Sequence, residues 1–333
     1  MSETQDFPSA DKRMPRIPLR AIIAFVVLAV GLAWLVALPL WLGDGLAEPL
    51  AGLLLVMTMY TPALALLIVL VTMRPIPKGQ RLRFLGMWPL RPAKRVIWMS
   101  VLGLFGPIVI VIAAMLIAVA CGWLQADFAG LSGFSQILGQ SLPSGVELPS
   151  PWLLVAVQIA AIPFAAATLN AVAAFGEEVG WRGFLVPALR RYGTWPALLI
   201  SGVVWGLWHS PLILLGYNFG RTDVTGVLLM TAGCTVWGVL LGWLRLRSAS
   251  MWPAVFAHGA LNASAGLPVL FLAAGAEYDP ALSTALGVSG WIAGAVVIVV
   301  LLVAGQFRRQ PALAEPRPPK YPASTLPPVQ PPA

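Results

Sequence analysis

About eight apolar runs, each near the length needed to cross a bilayer, follow one another along the chain. They lie at roughly residues 20–42, 49–73, 96–121, 151–176, 195–216, 226–244, 252–273 and 285–305. Runs of this length predict an all-α, polytopic membrane helix bundle of about eight transmembrane helices. The polar connections between them alternate in charge. Lys12, Arg13, Arg16 and Arg20 precede the first run, and Arg74, Lys78, Arg81, Arg83, Arg91, Lys94 and Arg95 fill the second connection. Arg190 and Arg191, then Arg245 and Arg247, then Arg308 and Arg309 follow on alternate connections. The opposite connections carry Asp44 and Glu48, Asp127 and Glu147, Asp223 with the single Arg221, and Glu277 with Asp279. By the positive-inside rule both termini are expected to be cytoplasmic, which an even number of spans accommodates.

The division that follows is a cytoplasmic segment 1–19, N-terminal helices and loops 20–149, a polar-bearing core 150–273, a last helix 274–307 and a tail 308–333. The first apolar run is too long for a cleavable leader, and no small-residue cleavage site follows it at a sensible distance, so it is expected to remain as an anchor. Nine prolines from Pro311 to Pro332 preclude regular helix in the tail, which reads as a disordered cytoplasmic segment. Residues 122–150, rich in Gly, Ser and Pro, form the longest external connection and are expected to lie across the mouth of the bundle.

Composition narrows the medium and the partners. Of 333 residues 59% are hydrophobic and 10% charged, with a mean hydropathy of +0.84, too apolar for a water-soluble domain of this length. The net charge of +8 does not point to nucleic acid, because the basic residues sit between apolar runs with no aromatic interleaving. Cys121 and Cys234 both fall in apolar runs, which argues against a disulfide framework or a thiolate metal site.

Ionisable groups are costly in hydrocarbon, and their placement here is selective. The chain's two histidines, His209 and His258, lie in separate apolar runs, and Glu177 and Glu178 stand side by side in a third. At roughly 100° per residue, Glu178 and Arg182 share a helical face with the acid N-terminal to the base, the favourable order for an ion pair. Glu177 is turned away from that face. One acid is thus satisfied within its own helix, while its neighbour addresses the bundle interior, where partial burial makes a carboxylate a usable general base. Trp205 stands four residues before His209 and can fix the imidazole. His258 and Asn262, one turn apart, can donate to a single developing negative charge. Gly202, Gly206 and Gly259 would let helices approach closely.

Each element has a plainer reading. A single intramembrane histidine can simply bond a carbonyl, and an acid pair near a membrane boundary can be a solvated helix end. Asn262 also opens an Asn-Ala-Ser sequon, but an apolar helix near the cytoplasmic side is the wrong place for glycosylation. The conjunction of these groups on three runs at helical spacing weighs against coincidence.

The three segments resemble the signature of the CAAX-protease and bacteriocin-processing family of intramembrane endopeptidases, which includes the type II CAAX prenyl endopeptidases and the Abi-type bacterial proteins. That signature reads Glu-Glu-x-x-x-Arg, Phe-x-x-x-His, His-x-x-x-Asn. It is matched here by Glu177, Glu178 and Arg182, by Trp205 and His209, and by His258 and Asn262, over about residues 150–273. The departure is Trp205, where the family usually has Phe; its ring is larger and its N–H needs a partner. The resemblance implies a peptide-bond hydrolase in a membrane cavity open to the cytoplasm. Glu177 would activate the attacking water with help from His209, His258 and Asn262 would form the oxyanion hole, and Glu178 and Arg182 would orient the first acid.

No cofactor is required on this reading. The alternative is a zinc ion on Glu177, His209 and His258, although the His-Glu-x-x-His arrangement is absent and Asn262 is a poor zinc ligand. The expected partners are membrane lipid and a membrane-tethered peptide or protein, whether prenylated, leader or bacteriocin-type, and the expected location is a bacterial plasma membrane. The competing functions are a secondary transporter whose path these groups line, and a peptide-binding immunity protein that retains the fold without hydrolysis.

Overall fold

The computed structural model describes residues 14–141 and 149–308. Lys12, Arg13, Glu147, Arg309 and the proline-rich tail lie outside the described residues. The architecture is helical: α1 (Leu19–Leu42), α2 (Ala51–Met59), α3 (Thr61–Thr72), α4 (Ala93–Ala120), α5 (Pro151–Ala167), α6 (Leu169–Glu178), α7 (Thr194–Trp208), α8 (Val224–Ser248), α9 (Trp252–Ser264) and α10 (Val288–Val303), joined by a further helix, Ser132–Ser141, and by shorter helical segments and turns.

Among the described residues, four helical stretches are long and apolar enough to cross a membrane: α1, α4, α8 and Pro280–Val303, the last of which ends in α10. Two bent pairs, α2 with α3 and α5 with Leu169–Tyr192, raise the number to six. Length and composition therefore support fewer spans than the eight apolar runs suggested. The two runs that fall short carry the histidines: α7 has 15 residues and α9 has 13. At about 1.5 Å per residue they reach roughly 20 Å, against a hydrocarbon core of about 30 Å. Hydropathy continues past both helices, but the regular backbone ladder is interrupted, with only one further helical turn after each, Ser210–Ile213 and Leu267–Leu270. Pro211 cannot donate to the carbonyl of Leu207 and its ring clashes there, so α7 stops at His209. Gly266 and Pro268 follow the end of α9 in the same way.

The bends are satisfied internally, as a medium without water demands. Pro62 removes the donor that would serve Thr58, and the Thr61 hydroxyl donates to that carbonyl instead at 2.9 Å. At the α5–α6 break, Thr168 Oγ1 donates to Phe164 O at 2.7 Å and Asn170 Nδ2 to Ala165 O at 3.2 Å. The bend between α2 and α3 then packs on α6, where a Cβ at Gly176 would meet Met59 O at 2.7 Å. Trp208 Nε1 reaches across to donate to Thr61 Oγ1 at 3.0 Å, tying this bend to the end of α7.

Small residues bring the histidine-bearing helices in, as their spacing suggested. A Cβ at Gly206 would lie 2.3 Å from Thr231 Cα on α8, one at Gly202 2.7 Å from Thr235 Cα, and one at Gly259 2.5 Å from Ala166 O. With no side chain between them, the backbones of α7 and α8 touch, and so do those of α9 and the end of α5.

The described part of the connection after α4 packs on a hydrophobic cluster of its own. Leu124, Leu131 and Phe134 bury themselves against Met115, Val155 and Phe271, and backbone bonds from Asp127 to Phe271 (2.8 Å) and from Ala273 to Gln125 (2.9 Å) clasp the segment to the chain beyond α9. Its apolar side chains have a hydrophobic face of their own to cover.

Candidate active site

Glu177 and Glu178 are the last two residues of α6, and Val179–Leu185 continue the chain as a wide π-helical turn whose every residue is buried. π-Turns within helices recur at functional sites. The adjacent acids point in different directions. Glu178, fully buried, places Oε1 2.7 Å from Arg182 Nη1 and 2.9 Å from His258 Nδ1. A carboxylate oxygen only accepts, so the imidazole donates from Nδ1 and directs Nε2 elsewhere. That Nε2 stands 4.0 Å from Glu177 Oε1. Arg182, also fully buried, stacks over the Trp205 ring with Cζ 4.2 Å from its centroid, a placement worth about 2 kcal/mol when desolvated.

Trp205 finds the partner its indole needs in Glu177, with Nε1 donating to Oε2 at 2.6 Å. It also meets His258 edge-on at a centroid separation of 5.2 Å. His209 is fixed by the backbone: its Nδ1 lies 2.8 Å from Trp205 O. A carbonyl cannot donate, so Nδ1 carries the proton and the neutral ring keeps the Nε2 lone pair available. Trp208 packs on the same imidazole with ring centroids 4.6 Å apart.

Glu177, Trp205, His209, His258 and Asn262 line one cavity of about 580 Å³. Asn262, one turn beyond His258, is exposed into it. Glu178 and Arg182 stand behind the wall and are not part of the lining. The acid that the sequence turned towards the interior thus lines the cavity with members of the other two motifs, and the acid that it paired with Arg182 does not. Several lining residues gave no sequence signal: Tyr217, Cys234 and Tyr278 are uncharged members of apolar or loop segments. Cys234 Sγ lies 3.8 Å from His209 Nδ1.

Arg245 needs a correction. Grouped with Arg247 as a charge that orients the chain, it is fully buried, donating from Nε to Arg182 O at 2.9 Å and from Nη2 to Phe84 O at 2.8 Å. It brackets the π-turn from below rather than facing solvent. The close approach it needs is supplied at Gly86, at φ +72°, where a Cβ would meet its guanidinium carbon at 2.7 Å.

The donor set of the zinc alternative would be Glu177 Oε1 and the Nε2 atoms of His209 and His258, the atoms left without the hydrogen bonds named above. Trp205 occupies Glu177 Oε2, Glu178 holds His258 Nδ1, and among the described residues no group of three His, Cys, Asp or Glu side chains is placed to hold a metal ion.

Residues 149–264 match the family model described as type II CAAX prenyl endopeptidase Rce1-like. Over these residues the chain is similar to that family, and the match covers about a third of its length. The matched segment holds all three motifs. A CAAX prenyl protease 2 of Methanococcus maripaludis is 30% identical over 97 residues, a stretch that is 27% of this chain and 36% of the relative. The alignment thus spans about a third of that relative's length.

Proposed function

We propose that the protein is an intramembrane endopeptidase that cleaves a membrane-associated peptide with water activated by Glu177 and His209. The observation that carries this reading is the unequal treatment of two adjacent acids. Glu178 is consumed by Arg182 and His258, whereas Glu177 presents Oε1 to a cavity that also receives His209.

Trp205 leaves Glu177 a single reactive oxygen by occupying the other. Water on Oε1 would give up its proton as it attacks the scissile carbonyl, and the Nε2 lone pair of His209 is the second group able to take or relay that proton. His258, held at Nδ1 by Glu178, directs Nε2 to the Glu177 side of the cavity, from which its doubly protonated form would donate to the developing oxyanion. The Asn262 amide is the second donor. Protonated Glu177 would then return its proton to the departing amine, so no covalent intermediate on a side chain is needed. No step passes through a metal. The apolar lining suits a lipid-modified or membrane-embedded peptide, and the proposed location is a cellular membrane.

Comparison of membrane-derived peptides from cells making the wild-type protein or Glu177→Ala tests this. Peptides with a new terminus appear with the wild type alone and identify the scissile bond. Identical peptide sets at equal protein levels would defeat the proposal.

A further inference from the structure

The cavity draws on every element around it from the same end. Its outermost lining residues are Gly52 at the start of α2, Asn170 at the start of α6, Tyr217 beyond α7, Met230 in the first part of α8, Ala265 just past α9, and Tyr278 in the loop before α10. Its deepest are Glu177, Trp205 and Cys234. Beneath them the interior is closed: Trp181, Arg182, Phe184 and Leu185 are fully buried, and Arg245 ties the turn they form to Phe84.

Hydrogen bonds gather the connections into two caps. On the closed side, Met251 N donates to Gly86 O, Trp252 Nε1 to Met87 O and Arg191 Nη1 to Ile17 O. On the open side, Trp41 Nε1 donates to Pro211 O, Ser283 Oγ to Trp123 O, and Arg221 pairs with Asp279 at 3.2 Å. The caps differ in charge. Arg74, Lys78, Arg81, Arg83, Arg91, Lys94, Arg95, Arg190 and Arg191 belong to the closed side, and none lines the cavity. The open side carries Asp44, Glu48, Asp127, Asp223, Glu277 and Asp279, with Arg221 its single basic residue among the described ones. Short connections rich in Lys and Arg are retained in the cytoplasm.

We infer that the cavity opens on the non-cytoplasmic face of the membrane, so that its substrates are peptide bonds presented from that side. This departs from the cytoplasm-facing site that the family resemblance implied. The two expectations drawn from the sequence, cytoplasmic basic connections and a cytoplasmic cavity, place the cavity at opposite ends of this bundle. The hydrolytic part of the inference rests on the proposed function, and the sidedness does not. A cytoplasmic C-terminal prenylated peptide would meet the closed, basic cap, whereas a segment exported across the membrane or anchored in the outer leaflet would meet Tyr217 and Tyr278 at the mouth.

The test separates orientation from catalysis. In a Cys121→Ser background, Glu277→Cys and Lys78→Cys place single exposed thiols on the open and closed caps, and the Cys121→Ser protein itself measures any labelling of the cavity-lining Cys234, which is subtracted. In intact bacterial cells a membrane-impermeant maleimide is expected to label Glu277→Cys, and to label Lys78→Cys only after permeabilisation. In the same cells, two single-span reporters display one randomised peptide segment on the outer or the inner side, and cleavage is expected for the outer display alone. The opposite labelling pattern, or cleavage of the inner display alone, overturns the inference. Outward labelling with neither reporter cut upholds the orientation and overturns the proteolytic reading.

Discussion

Replacing Arg182 with leucine removes a cation from a site where both partners are fully buried. Glu178 then keeps only the His258 N–H on Oε1, and its Oε2 already lacks a partner. Breaking a buried pair from one side costs about 3–5 kcal/mol because an uncompensated charge remains. Loss of the guanidinium stack on Trp205 adds to that, while removal of the unpartnered Arg182 Nε and Nη2 donors offsets part of it. A net loss of about 3 kcal/mol or more is expected. Glu178→Leu/Arg182→Leu removes both charges and should recover about 1–3 kcal/mol relative to Arg182→Leu. Cleavage should not recover, because the double variant also takes away the group that holds His258 Nδ1. The assay pairs thermal unfolding in lipid nanodiscs with turnover of a membrane-tethered peptide. An Arg182→Leu protein as stable as wild type, or a double variant as unstable as the two single losses added together, would refute the reasoning.

Trp205→Phe keeps a ring beneath Arg182 but strands Glu177 Oε2; a hydrogen bond to a charged group is worth about 1.5–3 kcal/mol, so kcat should fall at least about tenfold with KM nearly unchanged, as read from initial rates. Asn262→Ala withdraws one oxyanion donor and should lower kcat by about 10²–10³ without altering peptide affinity, measured by equilibrium binding beside turnover. Protein stripped with a strong chelator and verified metal-free by elemental analysis should retain its full rate; activity restored only by added zinc would require a different mechanism.

Much of this site is legible from residue type and spacing because polar groups are rare in lipid-embedded sequence and each needs a partner. The four-residue step from Glu178 to Arg182 survives the π-turn as a 2.7 Å contact, and the unmet need of the Trp205 indole anticipates its bond to Glu177 without naming the acceptor. What stays hidden is set by the fold. His258 bonding to Glu178, 80 residues away in the chain, follows from the packing of α9 on α6. Arg245 looks like any charge beside an apolar run, and only the close passage of Gly86 shows it to be interior. Eight apolar runs do not become eight long helices for a related reason. Hydropathy measures apolarity, while Pro211 and Pro268 end the helices at His209 and just past Ser264 without interrupting the apolar run.

The most direct measurement of the central claim follows a membrane-tethered substrate by mass spectrometry with purified wild-type protein and Glu177→Gln in nanodiscs. The amide keeps the shape of the acid and an oxygen for Trp205, but it cannot take a proton from water. Wild type should release a product that Glu177→Gln forms at least about 10² times more slowly, while both bind the peptide and unfold at the same temperature. Equal release by the two proteins would contradict the account.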